Sequence, residues 1–261
     1  MPERTSYEPG TPSWVDLGTA DIDKSLAFYG GLFGWDASEG DEAAGGYRNF
    51  LFEGKQVAGV YPLMNDQQPP VWATYFDTDD ADAIAQRVKD NGGQVLMEPM
   101  DVMQFGRMAV FMDPTGAAFG VWQPNEHKGA QLVNEPGSLT WNELATRDAD
   151  AAKAFYTAVF DLGTDDMDMG PMTYTVWKVG DDVVGGMMPM GDQFPAEVPP
   201  HWAVYFAVDD TDATVAKAQE LGAAVIAPPM DIPNVGRFAA LADPNGTTFS
   251  IIKNAPQQQQ G

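Results

Sequence analysis

Cysteine is absent from the 261 residues. That excludes a disulfide framework, a thiolate nucleophile and any thiolate-bound metal. Histidine is nearly as scarce: His127 and His201 are the only two. A Ser-His-Asp arrangement would have to use one of them, and the neighbours of neither supply it. Positive charge is the third shortage, with 14 basic against 38 acidic residues and a formal charge of −24. Such a field repels nucleic-acid phosphates and anionic lipid, so neither nucleic acid nor membrane is expected as a partner. The acids are spread through the chain, which reads as a solvated, colloidally stable surface. No uncharged apolar run approaches the ~20 residues of a membrane helix, and the opening Met1-Pro2-Glu3-Arg4 lacks the apolar core of a secretion signal. A soluble, cytoplasmic protein is the expectation. Also missing are Gly-x-Gly-x-x-Gly after a strand, a phosphate loop, His-Glu-x-x-His and Gly-x-Ser-x-Gly.

What is present is present twice. Trp14-Val15-Asp16-Leu17-Gly18-Thr19 is answered 127 residues later by Trp141-Asn142-Glu143-Leu144-Ala145-Thr146, and Phe28-Tyr29 by Phe155-Tyr156. Pro69-Pro70-Val71-Trp72 returns 130 residues later as Pro199-Pro200-His201-Trp202, as do Gly106-Arg107 and the turn Asp113-Pro114-Thr115-Gly116. A hydrophobic share of 44% is enough for two cores. The boundaries read as a first domain over 1–124, a linker over 125–138, a second domain over 139–254 and a disordered tail over 255–261.

Each copy repeats a shorter grammar. Trp14 to Thr19 alternates as a strand and runs into Asp21, an N-cap for a helix whose apolar face is Ile22, Leu26, Tyr29 and Phe33. Gly30 and Gly31, at about 1 kcal/mol each, predict an end near Leu32. Strands follow around Trp35 to Ser38, Tyr47 to Glu53 and Gln56 to Pro62, the last two joined at Gly54-Lys55. The pattern β-α-β-β-β then restarts: Trp72 to Thr78, a helix capped by Asp80 and ended by Gly92-Gly93, then Gln94 to Met97, Arg107 to Met112 and Ala117 to Trp122. Asp113-Pro114-Thr115-Gly116 suits a type I turn.

The capped Asp-x-x-x-(Ser/Ala)-x-x-Phe-Tyr helix, the paired modules and the Asp-Pro-x-Gly turn resemble the vicinal oxygen chelate superfamily, which includes glyoxalase I, extradiol dioxygenases and bleomycin-resistance proteins. Within it they are similar to a two-domain actinobacterial branch typified by a mycobacterial culture-filtrate antigen. The resemblance covers nearly the whole chain. It implies an α+β fold in which four βαβββ modules form two tandem barrel-like domains of the glyoxalase/bleomycin-resistance type. Its catalytic members hold a divalent metal on four inward-facing strand positions, as a Lewis acid. Carried over one by one, those positions fall on Trp14 and Trp141, on Ala73 and Ala203, on Gly120 and Ser250, and near Gly59 and Gly185 or Gly186. Neither copy keeps a ligand set, so no metal or other cofactor is expected. His201 is a better spare ligand than His127, which lies in the linker. A carboxylate site around Asp16 or Glu143 is the remaining route to a hard ion.

Strand alternation places Trp14, Asp16, Tyr75 and Trp122 on the inner side of the first copy and Trp141, Glu143 and Tyr205 on that of the second. With Arg107 and Arg237 nearby, these are the candidate ligand-binding residues: aromatic walls with a few polar handles. Trp14 and Trp141 could equally be barrel filling. Arg107 and Arg237 could hold an anionic group, though salt bridges to Asp101 and Asp231 are the preferred reading. Trp72 and Trp202 should face the helices, Tyr29 and Tyr156 should be hydrogen-bonded core, and most of the clustered methionines should be core fillers. The expected function is metal-independent binding or sequestration of a small molecule by a monomer that is an internal pseudo-dimer. The alternatives are a glyoxalase-like lyase or isomerase or a dioxygenase, with Asp16 or Glu143 as base and Tyr75 or Tyr205 as acid, and a secreted or surface interaction protein.

Overall fold

Four aspartates start the four helices. Asp21, Asp80, Asp148 and Asp210 each accept a hydrogen bond from the backbone N–H three residues on, at 2.9–3.1 Å, which satisfies one of the orphan donors of a first turn. The computed structural model describes all residues except 1, 2, 64, 66, 67, 171, 193 and 256–261, so the expected tail lies outside the described residues from 256 on. The first module is β1 (Pro12–Thr19), α1 (Ile22–Phe33), β2 (Asp36–Ala37), β3 (Arg48–Phe52) and β4 (Lys55–Pro62). The second is β5 (Val71–Asp77), α2 (Ala81–Asp90), β6 (Gln94–Val102), β7 (Gly106–Met112) and β8 (Ala118–Pro124). The third is β9 (Leu139–Thr146), α3 (Ala149–Phe160), β10 (Gly163–Asp168), β11 (Thr173–Val179) and β12 (Asp182–Pro189). The fourth is β13 (His201–Ala207), α4 (Thr211–Glu220), β14 (Ala224–Ile232), β15 (Gly236–Ala242) and β16 (Thr248–Asn254).

Two eight-stranded mixed sheets result, in the orders β2-β3-β4-β1-β5-β8-β7-β6 and β10-β11-β12-β9-β13-β16-β15-β14. In each module the last three strands form an antiparallel meander whose final strand returns parallel to the first, as Asp16 pairs with Gly59 and Tyr75 with Gly120. All eight residues of β1 are buried, as suits a central strand covered on both faces. The β3–β4 turn is Glu53-Gly54, one residue earlier than expected, with φ of 51° and 77°. Both residues lie in the left-handed region that two-residue hairpin turns require.

By density of contacts the chain forms two compact units. One comprises Met1–Val15, Ala73–Gln131 and Trp141–Ala203; the other comprises Asp16–Trp72, Leu132–Thr140 and Val204–Gly261. Each unit therefore joins a module of one copy to a module of the other. The first is cored by Phe76, Phe119, Phe155, Tyr156, Phe160 and Trp202 around α2 and α3, all 8% exposed or less. In the second, Tyr29 of α1 stacks on Trp35 at 5.9 Å and meets Trp72 edge-on at 5.4 Å.

Three repeated blocks of sequence meet in these cores. Tyr156 donates to Asp113 Oδ2 at 3.0 Å and accepts from Trp202 Nε1 at 2.8 Å. In the other unit Tyr29 donates to Asp243 Oδ2 at 3.2 Å and accepts from Trp72 Nε1 at 2.9 Å. The second oxygen of each aspartate closes its own turn by accepting from the backbone two and four residues on. Burial, then the Asp243 and Asp113 charges, push both phenols well above the usual tyrosine range. The Phe-Tyr, Asp-Pro-x-Gly and Pro-Pro-x-Trp blocks are thus one clamp, repeated.

Two expectations need correction. The buried face of α1 is Ser25, Phe28, Tyr29 and Leu32 rather than Ile22, Leu26, Tyr29 and Phe33. It is rotated because Ser25 finds partners inside: Thr19 Oγ1 at 2.8 Å and Asn245 Nδ2 at 2.9 Å. Met97, Met100 and Met103 are 38–47% exposed rather than core, since β6 is the last strand of its sheet. The linker is tied down, with Ala130 and Leu132 buried and the Ala130 carbonyl accepting from Tyr7. Among the described residues no helix is long and apolar enough to cross a membrane.

Candidate functional site

At three of the strand positions that could have carried metal ligands, a tyrosine stands over a glycine instead. Gly186, on β12, pairs with Glu143 of β9, and the Tyr174 hydroxyl of β11 lies where a Cβ on Gly186 would stand. In the first copy Gly59 of β4 pairs with Asp16 of β1, and the Tyr47 hydroxyl covers Gly59 in the same way. Gly120 of β8 is covered by the ring of Tyr75, its partner on β5. Ser250 of β16 pairs with Tyr205 of β13, both buried. Any larger side chain at these glycines would displace a ring, so glycine and tyrosine form a matched pair. Tyr47 and Tyr174 were not among the sequence candidates. The signal was available, because they too recur 127 residues apart.

The second copy carries the more polar arrangement. Tyr174 donates to Glu143 Oε2 at 2.7 Å and accepts from Trp141 Nε1 at 3.0 Å. Glu143 is buried while Trp141 and Tyr174 are half-buried, so the group has an outward side. Burial, with the Glu143 charge second, holds the phenol far above the ordinary tyrosine range. Tyr174 is therefore a fixed donor and Glu143 its buried acceptor. In the first copy, burial and the Asp16 charge raise the Tyr61 phenol. The Tyr61 hydroxyl stands 2.9 Å from where a Cβ on Gly18 would be, and its ring is parallel to Tyr47 at 6.3 Å.

Trp14, two residues before Asp16 on β1, belongs to an aromatic cluster. The His127 imidazole meets Trp14 edge-on at 4.3 Å and Trp122 at 5.5 Å. Trp122 Nε1 donates to the His127 carbonyl at 2.8 Å. Burial lowers the His127 pKa to about 4. The linker histidine is thus the one built into a site. His201, the preferred spare ligand, has its Nδ1 2.9 Å from the nearby Pro199 carbonyl.

Arg107 and Arg237 make the salt bridges that were the preferred reading of the repeated Gly-Arg. Arg107 is held by Asp82 at 2.9 Å and Asp101 at 2.8 Å, and Arg237 by Asp212 at 2.6 Å and Asp231 at 3.1 Å. Each guanidinium is spanned by two carboxylates across neighbouring elements, which leaves it committed to the fold's surface. Concavities of about 530 Å³ around Asp166 and Asp168 and about 190 Å³ around Asp79 and Arg87 contain none of the nine candidate residues. Among the described residues no group of three or more His, Asp or Glu is spaced to hold a metal ion. Tryptophan, alanine and glycine offer no ligand atom and Ser250 only a single neutral hydroxyl, so the donor set does not fit the divalent metal that the resemblance implies for catalytic members.

A family model described as the Glyoxalase/Bleomycin resistance protein/Dioxygenase superfamily matches residues 11–121 and again 128–251. The chain is 49% identical over 266 residues to CFP32 of Mycobacterium tuberculosis, provisionally named a glyoxylase, covering 99% of this chain and all of the other. It is 46% identical over 264 residues to the anthracycline biosynthesis protein DnrV of Streptomyces peucetius, covering 95% of each. Its fold is similar to that of the Mn(II)-bound glyoxalase from Novosphingobium aromaticivorans, with a TM-score of 0.66, 20% identity and coverage of 94% and 82%.

Proposed function

We propose that this chain, which belongs to the glyoxalase/bleomycin resistance protein/dioxygenase superfamily, is a metal-independent binding protein that sequesters a flat, hydroxylated polycyclic aromatic molecule. One observation carries the reading: tyrosine rings and hydroxyls stand over glycines at the strand positions where a metal would need ligands. Trp141 supplies a face for stacking, and Glu143 with Tyr174 supplies the polar pair that would read a ligand hydroxyl. The likeness to a protein of anthracycline biosynthesis supports a polycyclic ligand class. Protein purified without chelator should carry no stoichiometric Mn, Fe, Ni or Zn, and one equivalent of any of them would overturn the reading. Titration with 1,8-dihydroxyanthraquinone should quench tryptophan emission. Glu143→Gln should weaken that binding by about tenfold, the scale of one hydrogen bond to a charged group. Unchanged affinity would remove Glu143 from the site.

The Tyr174–Glu143 bond also favours a second reading, a metal-free lyase or isomerase with Glu143 as general base. Incorporation of solvent deuterium into a bound ligand, followed by NMR, separates turnover from plain binding. The acidic surface and the fused copies fit a cytoplasmic monomer without nucleic-acid or membrane partners. Recovery from the medium of intact cells would favour the secreted interaction protein instead.

A further inference from the structure

We infer that Trp14 and Trp122 form a ring-binding slot that the chain fills with its own His127, so that the first copy is closed to ligand and the second copy alone is open. The inference rests on the binding reading above and assigns its stoichiometry. His127 does not belong to a module. It follows β8, and the chain bends back to deliver it: Asn125 and His127 N–H both donate to the Phe105 carbonyl, at 2.9 and 3.1 Å. On the far side Ala130 N–H donates to the Ser13 carbonyl at 2.8 Å, and Arg4 N–H to the Gln131 carbonyl at 2.9 Å. A segment pinned at both ends thus carries one planar heteroaromatic ring against Trp14.

The fit is that of a ligand. The ring is neutral at physiological pH, because burial holds its pKa at about 4. It makes edge-to-face contacts with two indoles, the geometry aromatic pairs prefer. The position 130 residues on is Gln257, which carries no ring. The second-copy group around Trp141 and Tyr174 is half-buried, whereas Trp14 is 4% and Trp122 7% exposed. The chemical class the slot takes is therefore a small neutral azole or comparable flat heteroaromatic.

His127→Ala with free imidazole tests the slot without reference to the natural ligand. At pH 8, where imidazole is neutral, millimolar imidazole should raise the variant's melting temperature saturably and shift its tryptophan emission, with no effect on the wild type. Equal responses in the two proteins, or none in the variant, overturn the inference. If the variant folds only with imidazole present, that is the same result in stronger form. If it folds in neither condition, the wild-type protein decides by proton NMR: His127 ring protons displaced from random-coil values by the ring currents of two indoles support the slot, and undisplaced ones sink it. Titration of the wild type with 1,8-dihydroxyanthraquinone should saturate at one per chain. Two per chain would defeat the inference and spare the ligand reading, whereas no binding would defeat the ligand reading while the imidazole result still stands.

Discussion

Two buried residues of one unit carry opposite pH signatures. Burial, reinforced by Asp79 and Glu8 and opposed by Lys128, raises the Asp77 pKa to about 7. Its Oδ1 is buried without a hydrogen-bond partner among the described residues. The folded state therefore keeps this proton while the unfolded chain releases it, and stability falls as pH rises from about 4 to about 7. His127 does the reverse. Its folded pKa of about 4 lies below the unfolded value, so stability is lost as pH falls from about 6.5 toward 4. The two slopes offset each other over most of that range. Asp77→Asn removes one of them: the melting temperature of the variant relative to wild type should climb by several degrees between pH 4 and 7 and then level off. A difference that is flat in pH would mean that Asp77 is not buried as a proton-holding acid. Neither role could be read from the sequence. His127 read as a linker residue, and the raised Asp77 pKa leaves no mark in the sequence, because desolvation depends on what packs against a residue from distant segments.

The strands and helices were more legible than the side chains they carry. Capping aspartates, glycine stops and the Asp-Pro-x-Gly turn act within a few residues, so their signals survive in the local sequence. The clamps made by Tyr29 and Tyr156 are different. Their core role was visible from helix periodicity, but their partners lie 214 and 43 residues away. Tyr156→Phe keeps the ring and strips the hydroxyl, so Asp113 Oδ2 and Trp202 Nε1 both lose a buried partner. The expected cost is about 2–4 kcal/mol, read as a lower urea midpoint at unchanged slope. A loss below about 0.5 kcal/mol would show that the clamp is ornamental. The half-buried Tyr47 and Tyr174 were missed because their meaning lies in the glycines that their hydroxyls reach on the neighbouring strand, each two residues out of register, and that reach is a tertiary fact.

At the scale of the molecule the charge of −24 should dominate the response to salt. Surface pairs such as Arg107–Asp82 are weakened by screening, but with 38 acids against 14 bases the repulsion that salt relieves is stronger than the attraction it removes. The melting temperature should rise between about 10 and 300 mM NaCl, as the screening length contracts. A fall would mean that the ion pairs outweigh the repulsion. The duplication also has a consequence that its two repeats do not announce: each compact unit takes one module from either copy. The aliphatic face of α2 meets the aromatic face of α3 in one unit, and α1 and α4 share the other.

Repetition, composition and capping determined, from the sequence alone, that four β-α-β-β-β modules would form and that no thiolate or imidazole cluster could be built. Those are local or additive properties, carried by residues near one another or by their totals. Which modules share a core, which tyrosine covers which glycine and where His127 lodges were decided by tertiary structure. Each depends on burial and pairing between segments far apart in the chain, and the free energy of those contacts exists only once both partners have arrived.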